Sequence, residues 1–196
     1  MSHDREPALF PVFLKLGGRR VLLVGAGSVA EAKLLGLLAA GAEVTVVAPE
    51  VRAGIAASPA HVERRGFRPE DVEGAWLVIA AAPPEVNRDV LAAAAARGVF
   101  VNAVDDPAHA TAYTGGVVRR GGVTLAISTE GRAPALAGLL REALEAVIPD
   151  EIGSWVALGA ALRAKQKQAR VPMGERRPLL LRALNRIYEG RAEVSA

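Results

Sequence analysis

The sequence predicts an α/β protein: a parallel sheet with helices packed on it, then a β-hairpin, then a helical C-terminal part. Three observations carry that reading. Short apolar runs recur between alanine- and leucine-rich stretches, and a glycine turn joins the first run to the first stretch. After Pro107 the alternation gives way to a glycine-linked pair of strands and then to helical periodicity alone.

The run VLLV (Val21 to Val24) ends in GAGSVA (Gly25 to Ala30), after which residues 33–40 carry Leu34, Leu35, Leu37 and Leu38 among alanines. That is strand, tight turn, helix. Gly41 closes the helix and VTVV (Val44 to Val47) predicts a second buried strand; HVERR (61–65), WLVIA (76–80) and VFVNAV (99–104) predict three more, with the clearest intervening helix over 85–97. Strands alternating with helices imply a parallel sheet with right-handed crossovers. GVVRRGGVTLAIST (116–129) reads as two strands joined at Arg120-Gly121-Gly122. From Pro134 onward, Leu136, Leu139, Leu140, Leu144 and Val147 make an apolar stripe at helical spacing, followed by Trp155, Leu158 and Leu162 and by Leu180, Leu184 and Ile187, with breaks at Pro149 and at 172–174. The expected boundaries fall near 114 and 150: a nucleotide-type α/β domain over 1–114, a hairpin-plus-helix connector over 115–150 and a small helical domain over 151–196.

A chain of 196 residues, 51% hydrophobic and 23% charged, can bury a sizeable core. Cysteine is absent, which excludes disulfides, thiolate metal sites and cysteine nucleophiles and fits a reducing compartment. His3, His61 and His109 lie far apart in sequence, so no metal site is expected. The apolar run from Ala8 to Leu16 is short and contains Pro11, so neither a secretory nor a membrane segment is expected and the cytoplasm is the expected compartment. The net charge is +3, and 20 of the 24 basic residues are arginine, whose planar fork suits carboxylates and phosphates. Scattered cations and 4% aromatic residues argue against a nucleic-acid partner.

Gly25 and Gly27 let a backbone turn sharply and approach a pyrophosphate, small Ala30 lets the new helix pack on the sheet, and amides at the helix start suit phosphate oxygens. A turn kept only for packing is the other reading. A strand-end acid that holds the adenosine ribose is expected about 20 residues beyond such a turn. Here the corner reads Ala48-Pro49-Glu50, so the carboxylate of Glu50 is displaced by rigid Pro49. No arginine stands near for a 2′-phosphate until Arg52, which leans toward NAD over NADP. Asp105 follows the fifth predicted strand, where open α/β sheets place ligands, yet Asp105-Asp106-Pro107 also reads as a plain turn. Asn102 is open to two roles, orienting a substrate or cofactor and bonding to backbone at a strand end.

The segments PVFLKL (11–16), GAGSVAEAK (25–33), NAVDDP (102–107), ISTEGRAP (127–134), LLREAL (139–144) and MGERR (173–177), in this order and spacing, resemble the siroheme synthase N-terminal family, the NAD-dependent precorrin-2 dehydrogenases. The resemblance implies a Rossmann-type domain, a dimerisation region and a helical domain in a homodimer. It implies oxidation of precorrin-2 to sirohydrochlorin, for siroheme or cobalamin, with hydride passing to NAD. Asp105 matches the family's catalytic aspartate, a general base for the proton the substrate must lose. Ser28, Val29, Pro49 and Glu50 match cofactor-contacting positions. Because precorrin-2 is a polycarboxylate, Arg132, Arg141, Arg176 and Arg177, which lie in matching segments, are candidates to hold it. Thr129 takes the place of a serine that can be phosphorylated in the family.

Some members also insert ferrous iron or cobalt, so a bifunctional dehydrogenase and ferrochelatase is the alternative within the family. The chain ends before the methyltransferase domain of the bifunctional synthases, which makes a stand-alone dehydrogenase the expectation. A non-catalytic NAD-sensing domain, the alternative from another class, is expected to keep the strand-end acid and to continue the alternation; this chain does neither. Ala32-Lys33, AAAPP (80–84) and YTGG (113–116) depart from the family pattern, and the last two lie near the expected cofactor and substrate edge.

Overall fold

The structure, a computed structural model, describes residues 8–104 and 106–192, with side chains described up to Tyr188. The chain divides into two compact units, one of Met1–Thr114 with Glu130–Arg132 and one of Gly115–Thr129 with Ala133–Ala196.

In the first unit, β1 (Arg20–Val24) is followed by α1 (Ser28–Ala39), β2 (Glu43–Val47), the single turn α2 (Ala53–Ala56), β3 (His61–Glu63), a 3-10 turn over Pro69–Val72, β4 (Leu77–Ala80), α3 (Pro84–Ala96) and β5 (Phe100–Ala103). The strands form one parallel sheet in the order β3-β2-β1-β4-β5. In register, Leu22 of β1 lies between Thr45 of β2 and Val78 of β4. The chain winds outward from β1 through β2 to β3, then crosses to the far side of β1, so the order reverses between β1 and β4. That reversal opens a crevice at the strand C-termini, where such sheets bind ligands.

The central strands are apolar on both faces because both are covered. Val21 and Leu23 of β1 pack with Ala30, Leu34 and Leu37 of α1 and with Ile55 of α2. Leu22 and Val24 point the other way, onto Val72, Val90, Ala93 and Ala94. Each fully buried leucine removed from water contributes roughly 2 kcal/mol. β3 is shorter than the expected 61–65: it ends at Glu63, where the amide of Arg65 turns back to the Glu63 carbonyl (3.0 Å).

The second unit opens with an antiparallel pair, β6 (Gly116–Arg120) and β7 (Val123–Ile127), then α4 (Pro134–Val147), α5 (Ile152–Gln168) and α6 (Met173–Ala192). Gly121 and Gly122, the two residues of the hairpin loop, have φ of +54° and +83°. Positive φ at both positions is what a type I′ turn requires. Pro134 occupies the first turn of α4, where its missing amide costs nothing. Arg120 links the hairpin to the end of α4 through the Ile148 carbonyl and Asp150. Among the described residues, no helix is long and apolar enough to cross a membrane.

Candidate functional site

The glycine turn lies at the crevice between the ends of β1, β2 and β4. The Gly25 amide donates to the Val47 carbonyl (2.9 Å), and the Ala81 amide donates to the Val24 carbonyl (2.8 Å). The first bond ties the turn to the end of β2, and the second brings the loop after β4 to the end of β1. Gly25 has φ +100°, and a Cβ there would stand 2.2 Å from the Ala81 carbonyl oxygen, so the fold itself excludes any side chain at this position. Gly27 is different: a Cβ there meets nothing within 4 Å. The protein leaves that space open without using it. Beside it α1 begins, with Gly27 as N-cap and Glu31 N to Gly27 O as the first helical bond (3.0 Å). The amides of Ser28, Val29 and Ala30 therefore precede the helical ladder and are available to an anion. An open cradle over these donors fits a dinucleotide pyrophosphate.

At the end of β2, Ala48 is buried while Pro49 and Glu50 are exposed. Arg52 is tied back to the same corner: its amide donates to the Ala26 carbonyl (3.4 Å) and its Nε to Glu31 Oε2 (2.8 Å). Glu31, in the first turn of α1, was not singled out in the sequence, because nothing local announces a partner 21 residues away. The AAAPP loop is held by buried Asn87 of α3, whose Oδ1 accepts the Ala82 amide (3.0 Å), and Pro83 and Pro84 start that helix. This is how Ala81 comes to face Gly25.

Asn102, on β5, is 7% exposed. Its Nδ2 donates to the Ala112 carbonyl (2.9 Å) and its Oδ1 accepts from Thr114 Oγ1 (3.2 Å), which also pairs with Lys33 of α1. Thr111 Oγ1 accepts the Val101 amide (2.8 Å). The side chain of Asn102 thus fastens the 106–114 loop to the sheet edge. In that loop Asp106 pairs with His109 (2.8 Å) and the Tyr113 hydroxyl donates to the Pro107 carbonyl (2.7 Å). Asp105, the expected base, lies outside the described residues, between Val104, the first residue past β5, and Asp106 at the start of this loop.

Of the expected substrate arginines, Arg132 falls in the first unit and Arg141, Arg176 and Arg177 in the second. Arg132 pairs with Glu130 at the loop before α4. Arg141 bonds Glu145 (2.6 Å) and Glu142 (3.1 Å) along α4. Arg176 donates to the Val171 carbonyl (3.0 Å) at the start of α6, and Arg177 is exposed. Thr129 Oγ1 accepts the Ala133 amide (3.3 Å) just ahead of α4. Among the described residues, no group of three His, Asp or Glu side chains is placed to hold a metal ion.

Comparison with known proteins agrees with this geometry. An NAD(P)-binding family model matches residues 12–116, and a model of the central part of sirohaem biosynthesis proteins matches residues 120–146. Siroheme synthase 3 of Aeromonas hydrophila is 41% identical over 187 residues, which covers 93% of this chain and 40% of that protein. Siroheme synthase of Photorhabdus laumondii is 39% identical over 180 residues, covering 89% of this chain and 38% of that one. The chain thus spans about two fifths of the length of these curated relatives. The solved structure of SirC, a precorrin-2 dehydrogenase, superposes with a TM-score of 0.69 at 27% identity, covering 89% of this chain and 88% of that one. With the glycine turn at the sheet's reversal point and the NAD(P)-binding model matched over more than half of its length, the chain belongs to that NAD(P)-binding family and carries a segment similar to the central part of sirohaem biosynthesis proteins.

Proposed function

We propose that the chain is an NAD-dependent precorrin-2 dehydrogenase that works as a homodimer in the cytoplasm. The observation that carries the reading is the open cradle at Gly27, a space the fold does not need for itself, over the leading amides of α1. NAD, when bound, supplies the hydride acceptor. Gly25 and Gly27 admit the pyrophosphate, the amides of Ser28 and Val29 donate to it, and Pro49 with Glu50 flanks the adenosine ribose.

Precorrin-2 becomes sirohydrochlorin by losing one hydride and one proton, so the chain must provide a proton acceptor. Asp105 takes that proton and releases it to solvent. The Asn102 and Thr114 hydrogen bonds act on this step by fixing the loop that continues from Asp105. Arg132, Arg141, Arg176 and Arg177 hold substrate carboxylates; the partners of Arg132 and Arg141 are surface glutamates, and such pairs contribute no more than about 1 kcal/mol each and exchange readily for a substrate carboxylate. The apolar stripe of α4 supports the homodimer, since Leu136, Leu139 and Val147 are exposed.

The test is anaerobic incubation with precorrin-2 and NAD. Wild-type protein is expected to form NADH and sirohydrochlorin in equal amounts, and Asp105→Asn to lose at least about 100-fold in turnover with NAD affinity unchanged. Formation of neither product by the wild type sinks the reading.

A further inference from the structure

The geometry points to Glu31 and Arg52 as the pair that selects a dinucleotide without a 2′-phosphate, an inference that rests on the reading of the Gly25 to Val29 turn as a dinucleotide site. Dinucleotide-binding sheets discriminate at the end of β2: a carboxylate accepts the ribose hydroxyls of one cofactor, and a nearby arginine holds the 2′-phosphate of the other. This chain carries both kinds of residue there, Glu50 and Arg52. On residue type alone the corner is ambiguous.

The structure removes the ambiguity by what it does with Arg52. The guanidinium is turned toward α1, with Nε 2.8 Å from Glu31 Oε2, and the backbone amide of Arg52 reaches the Ala26 carbonyl inside the glycine turn. Glu31 is in turn seated against the backbone of Gly54: a Cβ at that residue would stand 1.8 Å from Glu31 Oε1. The carboxylate therefore sits between the Arg52 side chain and a glycine that makes room for it. The Glu31 side chain is 30% exposed, against 57% for Arg52.

Two effects then act in the same direction. Arg52 already has a carboxylate partner, so a phosphate gains from it only the excess over that pair, which is weak at this exposure. A 2′-phosphate also brings about two negative charges toward the carboxylates of Glu31 and Glu50. A ribose hydroxyl, neutral and able to donate, meets no such repulsion. Specificity built on a repulsive element of this kind disappears when the element is removed.

Dinucleotide affinity of the substrate-free protein, measured by titration calorimetry with NAD and NADP, tests the inference without any turnover. Wild type is expected to bind NAD at least about tenfold more tightly than NADP. Glu31→Gln is expected to raise NADP affinity about tenfold and to change NAD affinity by less than about threefold. Adding Arg52→Ala to Glu31→Gln is expected to remove that gain, since the freed guanidinium is its source. If Glu31→Gln leaves the ratio of the two affinities unchanged while NAD still binds, the inference falls and the dinucleotide site stands. If wild type binds neither cofactor, both fall.

Discussion

Asp71 shows how single side chains hold the long connection between β3 and β4. It accepts two parallel bonds from Arg65 (2.8 and 2.7 Å) and a third from the Arg68 amide (2.8 Å), with a side chain only 11% exposed. Hydrogen bonding to the Arg65 guanidinium is the largest influence on the Asp71 carboxyl and, with the Arg68 amide, holds it below the ordinary carboxylate pKa despite partial burial. Glu63 next to it is also held low, first by its hydrogen bond with His61. A depressed folded-state pKa means that the charged form stabilises the fold above the unfolded value, and that this contribution is lost as pH falls through the folded value. Asp71→Asn keeps the shape and removes the charge, so it is expected to destabilise the protein by about 1–2 kcal/mol at neutral pH. Chemical denaturation of both proteins across acidic pH is expected to show the gap closing as Asp71 protonates. A gap that stays constant with pH refutes the charge-based account. Glu31 and Arg52 belong to this same scale: their pairing is not written locally in the sequence, because the fold brings together residues 21 apart, whereas Arg65 and Asp71 stand six apart and meet through the turn between them.

Elements were legible where one local cause dominates. β1, β2 and β4 are buried on both faces, so their apolar runs announce them, and Gly25 is demanded by a backbone approach no other residue tolerates. The edge was less legible: in HVERR the charged residues run on past Glu63, yet the backbone turns there and the chain takes a 3-10 turn at Pro69–Val72 before β4. α1 likewise starts at Ser28, six residues ahead of Leu34, the first of its leucine run, because the glycine turn rather than hydrophobicity sets its first residue. For the site, the cradle was readable from glycine spacing. The partners of Asn102 and of the arginines were not, since a polar side chain can serve a ligand or its own backbone and only the fold says which. The hairpin gives the sharpest test at this scale. Gly121 has φ +54°, and a Cβ there would stand 2.5 Å from the Gly153 amide nitrogen and 2.8 Å from Ile152 Cγ2. Gly121→Ala is thus strained in both backbone and space and is expected to cost about 2–3 kcal/mol, measured by thermal or urea unfolding. A cost under about 0.5 kcal/mol argues against the tight packing of the hairpin loop on α5.

The two units differ in how they are stabilised, and that difference bears on assembly. The first has a sheet sandwiched between two apolar layers, with Leu22, Leu23, Leu34, Ile55 and Ile79 fully buried. In the second, Val118 and Ala137 are the buried apolar side chains among the described residues, while Leu139 is 64% exposed, Val147 73% and Leu136 48%. A two-stranded hairpin is marginal by itself in water, and it needs an apolar face covered to be stable. α4 carries such a face: Leu136, Leu139 and Leu140 recur at helical spacing, and all are exposed. Under the proposed homodimer, a second copy of the chain offering the same stripe across a two-fold axis would cover it with the least new design, because a symmetric contact needs only one self-complementary surface. Burying a leucine contributes about 1.5–3 kcal/mol, so two of them from each protomer supply enough to shift association by several orders of magnitude. Sedimentation equilibrium of the wild type at micromolar concentration is expected to give a dimer, and the double substitution Leu136→Glu and Leu139→Glu to raise the dissociation constant at least about 100-fold. NAD binding measured on the double variant separates the outcomes: a folded monomer that still binds NAD identifies the stripe as the interface, a variant that remains dimeric removes α4 from it, and a monomeric wild type refutes the homodimer.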